Sequence, residues 1–164
     1  MDEELFDRVQ SLLDLCRRKR LTIATAESCS GGLLAGALTD VAGSSDVFER
    51  GFVTYSNEAK QTMLGVAADT LASHGAVSRE TATAMANGAL ARAPVDLTVS
   101  VTGIAGPQGA VAGKPVGLVH FAAASRGGQL LQHERAYGDI GRAQVRRACV
   151  AHAIAMLREI ADRE

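Results

Sequence analysis

The sequence predicts an α/β protein with a mixed sheet between two layers of helices. Helical and strand patterns interleave along the chain, which is typical of layered α/β domains. Two strand patterns near the end are joined by a short turn, which adds an antiparallel hairpin to the sheet. The 164 residues are 47% hydrophobic and 21% charged, so we expect one domain over residues 1–164 with a sizeable core.

The elements of the first half follow from the spacing of apolar residues. Apolar side chains recur every three or four residues near the start, behind a run of acidic residues suited to a helix N-terminus. A short apolar run and a glycine-containing turn come next. The predicted elements are a helix over residues 3–18, a strand over 21–25, a helical segment that ends near residue 38, a strand over 51–55 and a helix over 57–64.

The second half begins with a helix cap. Ser78 is a favoured capping residue, and the alanine-rich stretch after it predicts a long helix through residue 93. Glycines interrupt the pattern at residues 103–113, which predicts a loop. The remaining elements are a strand over residues 95–102, strands over 116–124 and 129–137 joined by a turn at 126–128, and a final helix over 142–160.

Charge and hydropathy restrict the classes of partner. A net charge of −1 gives no basic footprint, so we expect no nucleic-acid partner. No apolar run approaches the roughly 18 residues of a membrane span, so we expect no membrane association. The three cysteines are an odd, scattered set, and the chain begins with acidic residues where a signal peptide is basic. These features predict a cytoplasmic protein and leave a homo-oligomer open.

The turn with the sequence TAESCSGG follows the first predicted strand. A serine at a strand-to-helix turn is expected to be exposed, beside helix N–H groups that can stabilise an oxyanion. Ser28 is therefore a candidate nucleophile, although a helix cap or a phosphate-binding turn fits the pattern as well. Cys29 is a competing nucleophile, but a small packing residue is the favoured interpretation. Ser30, Gly31 and Gly32 are candidates for substrate contact.

Lys60 follows Tyr55 in the segment YSNEAK and is a candidate base. The chain has fourteen arginines and only three lysines. A lysine in such a sequence is a candidate for a role that needs a property arginine lacks. Lysine loses its proton when it is desolvated, and a neutral amine can activate a serine nucleophile. Spacing alone favours the alternative, in which Lys60 is a solvated lysine on a helix surface.

A third group of candidates lies near the end of the strand over residues 95–102. Thr102 and Gly103 are plausible ligand contacts, because ligands gather at the carboxyl ends of strands in open α/β sheets. The alternative is an ordinary glycine-rich turn. Arg142, at the start of the final helix, is a candidate for gripping a phosphate. The four histidines lack the spacing of metal ligands, so we expect no metal or other cofactor.

These blocks together resemble the CinA C-terminal domain family, whose stand-alone members include bacterial nicotinamide-nucleotide amidohydrolases. The resemblance extends over nearly the whole chain, and five blocks in the same order make it specific. The blocks are TAESCSGG at 25–32, AGSSDVFERGFVTYSNEAKQTMLG at 42–65, HGAVS at 74–78, TGIAGP at 102–107 and KPVG at 114–117.

The resemblance implies a Ser–Lys dyad, which falls on Ser28 and Lys60. It also implies an adjacent tyrosine, Tyr55, which we expect to position Lys60 or the substrate. It also implies nucleotide contacts near Thr102 and Arg142. The implied reaction is hydrolysis of the carboxamide of nicotinamide mononucleotide to nicotinate mononucleotide and ammonia, a step of pyridine nucleotide salvage. The alternative is a nucleotide-binding regulatory module of the competence- or damage-inducible type, without significant turnover.

Overall fold

A five-stranded sheet is the centre of the computed structural model, which describes all residues 1–164. The strands are β1 (Ile23–Glu27), β2 (Phe48–Val53), β3 (Leu97–Gly103), β4 (Leu118–Ser125) and β5 (Leu130–Ala136). They lie in the order β2–β1–β3–β4–β5. β1 is parallel to both β2 and β3, whereas β4 and β5 continue the sheet in antiparallel order. The mixed sheet and the terminal hairpin are confirmed.

Six helices cover the two faces of the sheet. They are α1 (Glu3–Lys19), α2 (Leu33–Thr39), α3 (Asn57–Leu64), α4 (Ala68–His74), α5 (Arg79–Arg92) and α6 (Arg142–Arg163). α1 and α2 pack with α6 on one face, and α3 and α4 pack with α5 on the other. This gives the predicted three layers. No helix is both long enough and apolar enough to cross a membrane.

The two faces of the sheet are packed differently. The face under α6 holds the main hydrophobic core, a cluster of 29 buried residues. The face under α5 is built from alanines on both elements, which lets the helix lie close to the strands. At this short separation Thr98 and Ser100 of β3 donate hydrogen bonds to the carbonyl oxygens of Ala86 and Ala82 at 2.9 and 2.6 Å. The alanine-rich sequence of α5 is thus explained by close packing.

The predicted boundaries differ from the structure mainly in the first two strands. The strand predicted over 21–25 lies at Ile23–Glu27, and that predicted over 51–55 lies at Phe48–Val53. The second shift arises because Thr54 and Tyr55 already lead out of the sheet. α4 was not predicted from the sequence, because it has no side-chain cap and buries only Leu71.

Gly88 of α5 marks the contact that holds α3 against the rest of the fold. A Cβ atom at Gly88 would overlap the carbonyl oxygen of Leu64, the last residue of α3. Gly36 of α2 is also helical, but a Cβ there would meet no other atom within 4 Å. Close packing therefore requires a glycine at position 88 but not at position 36, and the two positions can be compared directly.

We expect alanine substitutions at these two glycines to change stability in opposite directions. Gly36→Ala should raise the free energy of unfolding by about 0.5–1 kcal/mol, because alanine is the better helix former. Gly88→Ala should lower it by about 2 kcal/mol, because the clash with Leu64 outweighs the same helical gain. Urea unfolding of both variants tests this. A Gly88→Ala protein as stable as Gly36→Ala would contradict the packing described for α3 and α5.

Candidate active site

Ser28 lies in the turn that leaves the carboxyl end of β1. Its backbone N–H donates to the carbonyl of Val101 in β3 at 2.9 Å, and its carbonyl accepts from Gly31 N–H at 3.0 Å. The expectation of an exposed serine is wrong, since Ser28 is only 8% exposed. The turn is enclosed because β3 lies on one side of it and the side chain of Arg146 from α6 crosses its carbonyl groups.

Lys60 is brought to Ser28 by the first turn of α3. Ser56 caps this helix, its Oγ accepting from the N–H of Ala59 at 3.0 Å. The cap starts the helix directly after β2, so that Lys60 faces inward and is only 1% exposed. Its Nζ lies 2.9 Å from Oγ of Ser28 and donates to the carbonyl oxygen of Thr54 at 2.8 Å. The solvated-lysine interpretation is wrong.

Burial changes the acid–base properties of the Lys60 amine. Desolvation lowers the pKa of Lys60 from its ordinary value of 10.5 to about 8, a shift that the neighbouring Cys29 side chain opposes. At pH 7 an amine with this pKa is neutral in roughly a tenth of the molecules, several hundred times the fraction of an exposed lysine. Lys60 is thus able to accept a proton from the hydroxyl that it contacts.

A pocket of about 270 Å³ opens beside this pair. It lies at the carboxyl ends of the parallel strands, where β1 is flanked by β2 on one side and β3 on the other. This is the usual ligand position in such sheets. Nowhere does the structure assemble three or more His, Cys, Asp or Glu side chains around a metal-sized space. The pocket brings together six of the residues singled out in the sequence: Ser28, Tyr55, Lys60, Thr102, Gly103 and Arg142.

Tyr55 and Arg142 form the rim of this pocket. Arg142 donates to Oη of Tyr55 at 2.8 Å and to the carbonyl of Gly106 at 3.0 Å. Tyr55 is 61% exposed and makes no hydrogen bond to Lys60, whose amine is held by Thr54 instead. The geometry places Tyr55 where a ligand entering the pocket would pass. It gives no support to a role for Tyr55 in holding the amine.

Ser30, Gly31 and Gly32 do not line the pocket, although all three were candidates for substrate contact. Ser30 is fully buried, and its Oγ has no hydrogen-bond partner. Gly31 and Gly32 have positive φ angles and turn the chain into α2. The backbone N–H groups of Cys29 and Ser30 have no acceptor, and Cys29 itself lines the pocket. A free N–H therefore sits next to the candidate nucleophile.

Glu27 closes the N-terminus of α2. Its buried carboxylate accepts hydrogen bonds from the backbone N–H groups of Leu34 and Ala35 at 2.9 and 3.0 Å. These donors were expected to face a substrate oxyanion or a phosphate, and that expectation is wrong for this helix. The carboxylate occupies the position that an anion would take. The signal for this role was a single acidic residue in an apolar strand.

Two further residues of the site were not found from the sequence. The carbonyl of Thr54 fixes the Lys60 amine, and a backbone acceptor has no sequence signature. Arg146 donates to the carbonyl oxygens of Cys29 and Ser30 at 3.1 and 3.2 Å. In the sequence Arg146 resembles its neighbour Arg147, and only the fold separates the inward-reaching arginine from the exposed one.

Comparison with known proteins places the chain in a family. Residues 6–161 match the CinA C-terminal domain, and the chain belongs to this family. It is 49% identical over 157 residues to the nicotinamide-nucleotide amidohydrolase PncC of Escherichia coli strain K12, with 95% of this chain and 94% of that protein covered. It is also 47% identical to a competence-damage inducible protein of Symbiobacterium thermophilum, with 96% of this chain but 38% of that protein covered.

Solved structures agree with this assignment. The competence/damage inducible protein CihA from Agrobacterium tumefaciens superposes with a TM-score of 0.94 at 52% identity, covering 96% of this chain and 95% of that one. A CinA superfamily protein from Escherichia coli superposes with a TM-score of 0.90 at 31% identity, covering 98% and 92%. The predicted family and fold class are thus confirmed.

We expect Glu27 to be a major contributor to stability at the site. Glu27→Ala would leave two helix N–H groups without acceptors, one buried and one partly buried, so the free energy of unfolding should fall by about 2–4 kcal/mol. The control is Glu58→Ala, which removes an exposed glutamate from the first turn of α3 and should change stability by less than about 0.5 kcal/mol. Urea unfolding measures both. Equal effects of the two substitutions would contradict the anchoring role of Glu27.

Proposed function

We propose that the protein hydrolyses the carboxamide of nicotinamide mononucleotide, releasing ammonia and nicotinate mononucleotide. The observation that carries the proposal is the contact between the buried Lys60 amine and the Ser28 hydroxyl at 2.9 Å. A hydroxyl nucleophile within hydrogen-bond reach of an amine of lowered pKa is an arrangement that supports acyl transfer. The choice of substrate rests on the relative that is named for this activity.

The reaction proceeds through an acyl-enzyme. Neutral Lys60 accepts the hydroxyl proton of Ser28 while Oγ forms a bond to the carboxamide carbon. The resulting ammonium of Lys60 then gives its proton to the carboxamide nitrogen, the C–N bond breaks, and ammonia leaves. Lys60, neutral again, takes a proton from water, which attacks the ester. When the tetrahedral intermediate collapses, Oγ recovers the proton and the carboxylate product departs.

The negative oxygen of the tetrahedral intermediate needs a donor beside Ser28. The unpaired N–H of Cys29 meets this need, because it belongs to the residue after the nucleophile and has no acceptor of its own. Cys29 is 5% exposed and packs in the main hydrophobic core, which suits a backbone role better than a nucleophilic one. In this mechanism Ser28, and not Cys29, is the nucleophile.

The remainder of the nucleotide is proposed to extend toward the rim. Arg142 is already oriented by Tyr55 and Gly106, and its guanidinium keeps further N–H groups available for a phosphate. Thr102 and Gly103 line the same pocket, at the end of β3. The hydroxyl proton of Thr102 is committed to the carbonyl of Ala76 at 2.7 Å, so Thr102 would offer a ligand its oxygen lone pairs and methyl group.

Substitution of the dyad tests this proposal. Ser28→Ala should lower kcat for ammonia release from nicotinamide mononucleotide by at least about 10³-fold, whereas Cys29→Ala should retain most of it. Lys60→Arg keeps the positive charge but cannot give up a proton, so it should be nearly as inactive as Ser28→Ala. The double variant should lose little more, because the two residues act as one unit.

The controls are thermal melting and calorimetric binding of the nucleotide by each variant. A Lys60→Arg enzyme that keeps more than about a tenth of wild-type kcat, a barrier change of only ~1.4 kcal/mol, would remove Lys60 as the base. A wild-type protein that binds the nucleotide without releasing ammonia would instead support the regulatory alternative.

The pH profile should report the base directly. The active form of Lys60 is the neutral amine, so activity is low below its pKa and reaches a plateau above it. With burial lowering the pKa of Lys60 to about 8, kcat/KM should rise about tenfold per pH unit below pH 8 and level off above it. Steady-state kinetics from pH 6 to 10 measures this. A profile that continues to rise through pH 10 would mean that the amine is not desolvated.

A further inference from the structure

Arg146 contacts the nucleophile turn without an acidic partner. Its Nε donates to the carbonyl of Cys29 at 3.1 Å, and its Nη2 donates to the carbonyl of Ser30 at 3.2 Å. No carboxylate lies within ion-pair distance of its guanidinium. Its charge is therefore directed at the peptide groups of this turn, next to Ser28.

The carbonyl of Ser30 connects this charge to the pocket through the backbone. It shares a peptide unit with the N–H of Gly31, which donates to the carbonyl of Ser28 at 3.0 Å. The carbonyl of Ser28 shares the next peptide unit with the N–H of Cys29. That N–H has no acceptor, and Cys29 lines the pocket. The guanidinium of Arg146 is thus connected to the free N–H of Cys29 through two hydrogen-bonded peptide units.

We infer that Arg146 is a positioning residue that strengthens the Cys29 N–H as an oxyanion donor, an inference that rests on the proposed function. A hydrogen bond from a charged donor is about twice as strong as a neutral one. It polarises the peptide that accepts it, and consecutive hydrogen bonds strengthen one another by about 10–30% each. The effect is largest in the transition state, when the negative charge develops on the carboxamide oxygen.

The second contact of Arg146 fixes the peptide unit that follows this donor in the turn. By holding the carbonyl of Cys29, the guanidinium keeps the Cys29–Ser30 peptide from rotating, and the neighbouring Cys29 N–H is held with the turn. The turn has little freedom to compensate, since a Cβ at Gly31, which has a φ of +58°, would already lie 3.0 Å from the Arg146 guanidinium. Arg146 does not line the pocket, so it acts through the turn rather than on the substrate.

Kinetics of three arginine variants tests the inference. Arg146→Met should lower kcat for ammonia release about tenfold or more while KM stays within about twofold, because only the transition state uses the strengthened donor. Arg146→Lys keeps a charge and should recover part of this loss. Arg147→Met, which removes the exposed neighbour, is the matched control and should leave kcat and KM unchanged. The rise of kcat/KM near pH 8 should persist in all three, since Lys60 is untouched.

Several outcomes would overturn the role of Arg146. They are a wild-type kcat in Arg146→Met, an equal loss in Arg147→Met, or a raised KM at unchanged kcat. If Arg146→Met melts far below the wild type, Arg146→Lys carries the test, and a Lys variant no better than Met at equal stability would also overturn it.

An NMR measurement is independent of turnover. The chemical shift of the Gly31 amide proton should move upfield in Arg146→Met, because the guanidinium no longer polarises the Ser30–Gly31 peptide. The same shift should stay unchanged in Arg147→Met. An unchanged Gly31 resonance in Arg146→Met would overturn the coupling. A wild type that releases no ammonia, with the Gly31 shift present, would contradict the proposed function and leave the coupling standing.

Discussion

The burial of one lysine amine organises this protein. Lys60 Nζ is held between Oγ of Ser28 and the carbonyl of Thr54, which belong to the ends of β1 and β2, while the amine itself comes from α3. Each of these three elements must be in place for the amine to be desolvated. The sheet order, the Ser56 cap and the close packing of α5 on α3 all serve to keep that amine away from water.

This arrangement reduces stability. A lysine whose pKa falls from 10.5 unfolded to about 8 folded binds its proton less well in the native state. Stability therefore falls as the pH drops from 10.5 to 8, and at neutral pH the loss is about 3 kcal/mol. The core under α6 and the Glu27 anchor offset this loss. The contact between the Lys60 amine and Ser28 thus depends on packing far from the pocket.

The sequence predicted the layers, most elements and the six pocket residues that lie on strand ends and helix starts. These are predictable because periodicity and capping are local, and because family blocks mark the rest. Prediction from the sequence failed where contacts between distant segments determine the structure. Whether Ser28 is exposed, whether the N-terminus of α2 is free, and which arginine of α6 turns inward all depend on contacts between distant segments. Thr54 acts through its backbone, which no side-chain pattern reveals.

The two residues of the proposed dyad are followed or carried by helices on opposite faces of the sheet, and this has a consequence for folding. Ser28 is followed by α2 on one face, and Lys60 belongs to α3 on the other. β1 pairs with β3 through residues 74 positions apart in the chain, such as Ile23 with Leu97. Contacts of such sequence separation form slowly and late. During refolding, hydrolytic activity should therefore return later than the circular dichroism signal of the helices. A newly made chain that is only partly folded would then have no activity.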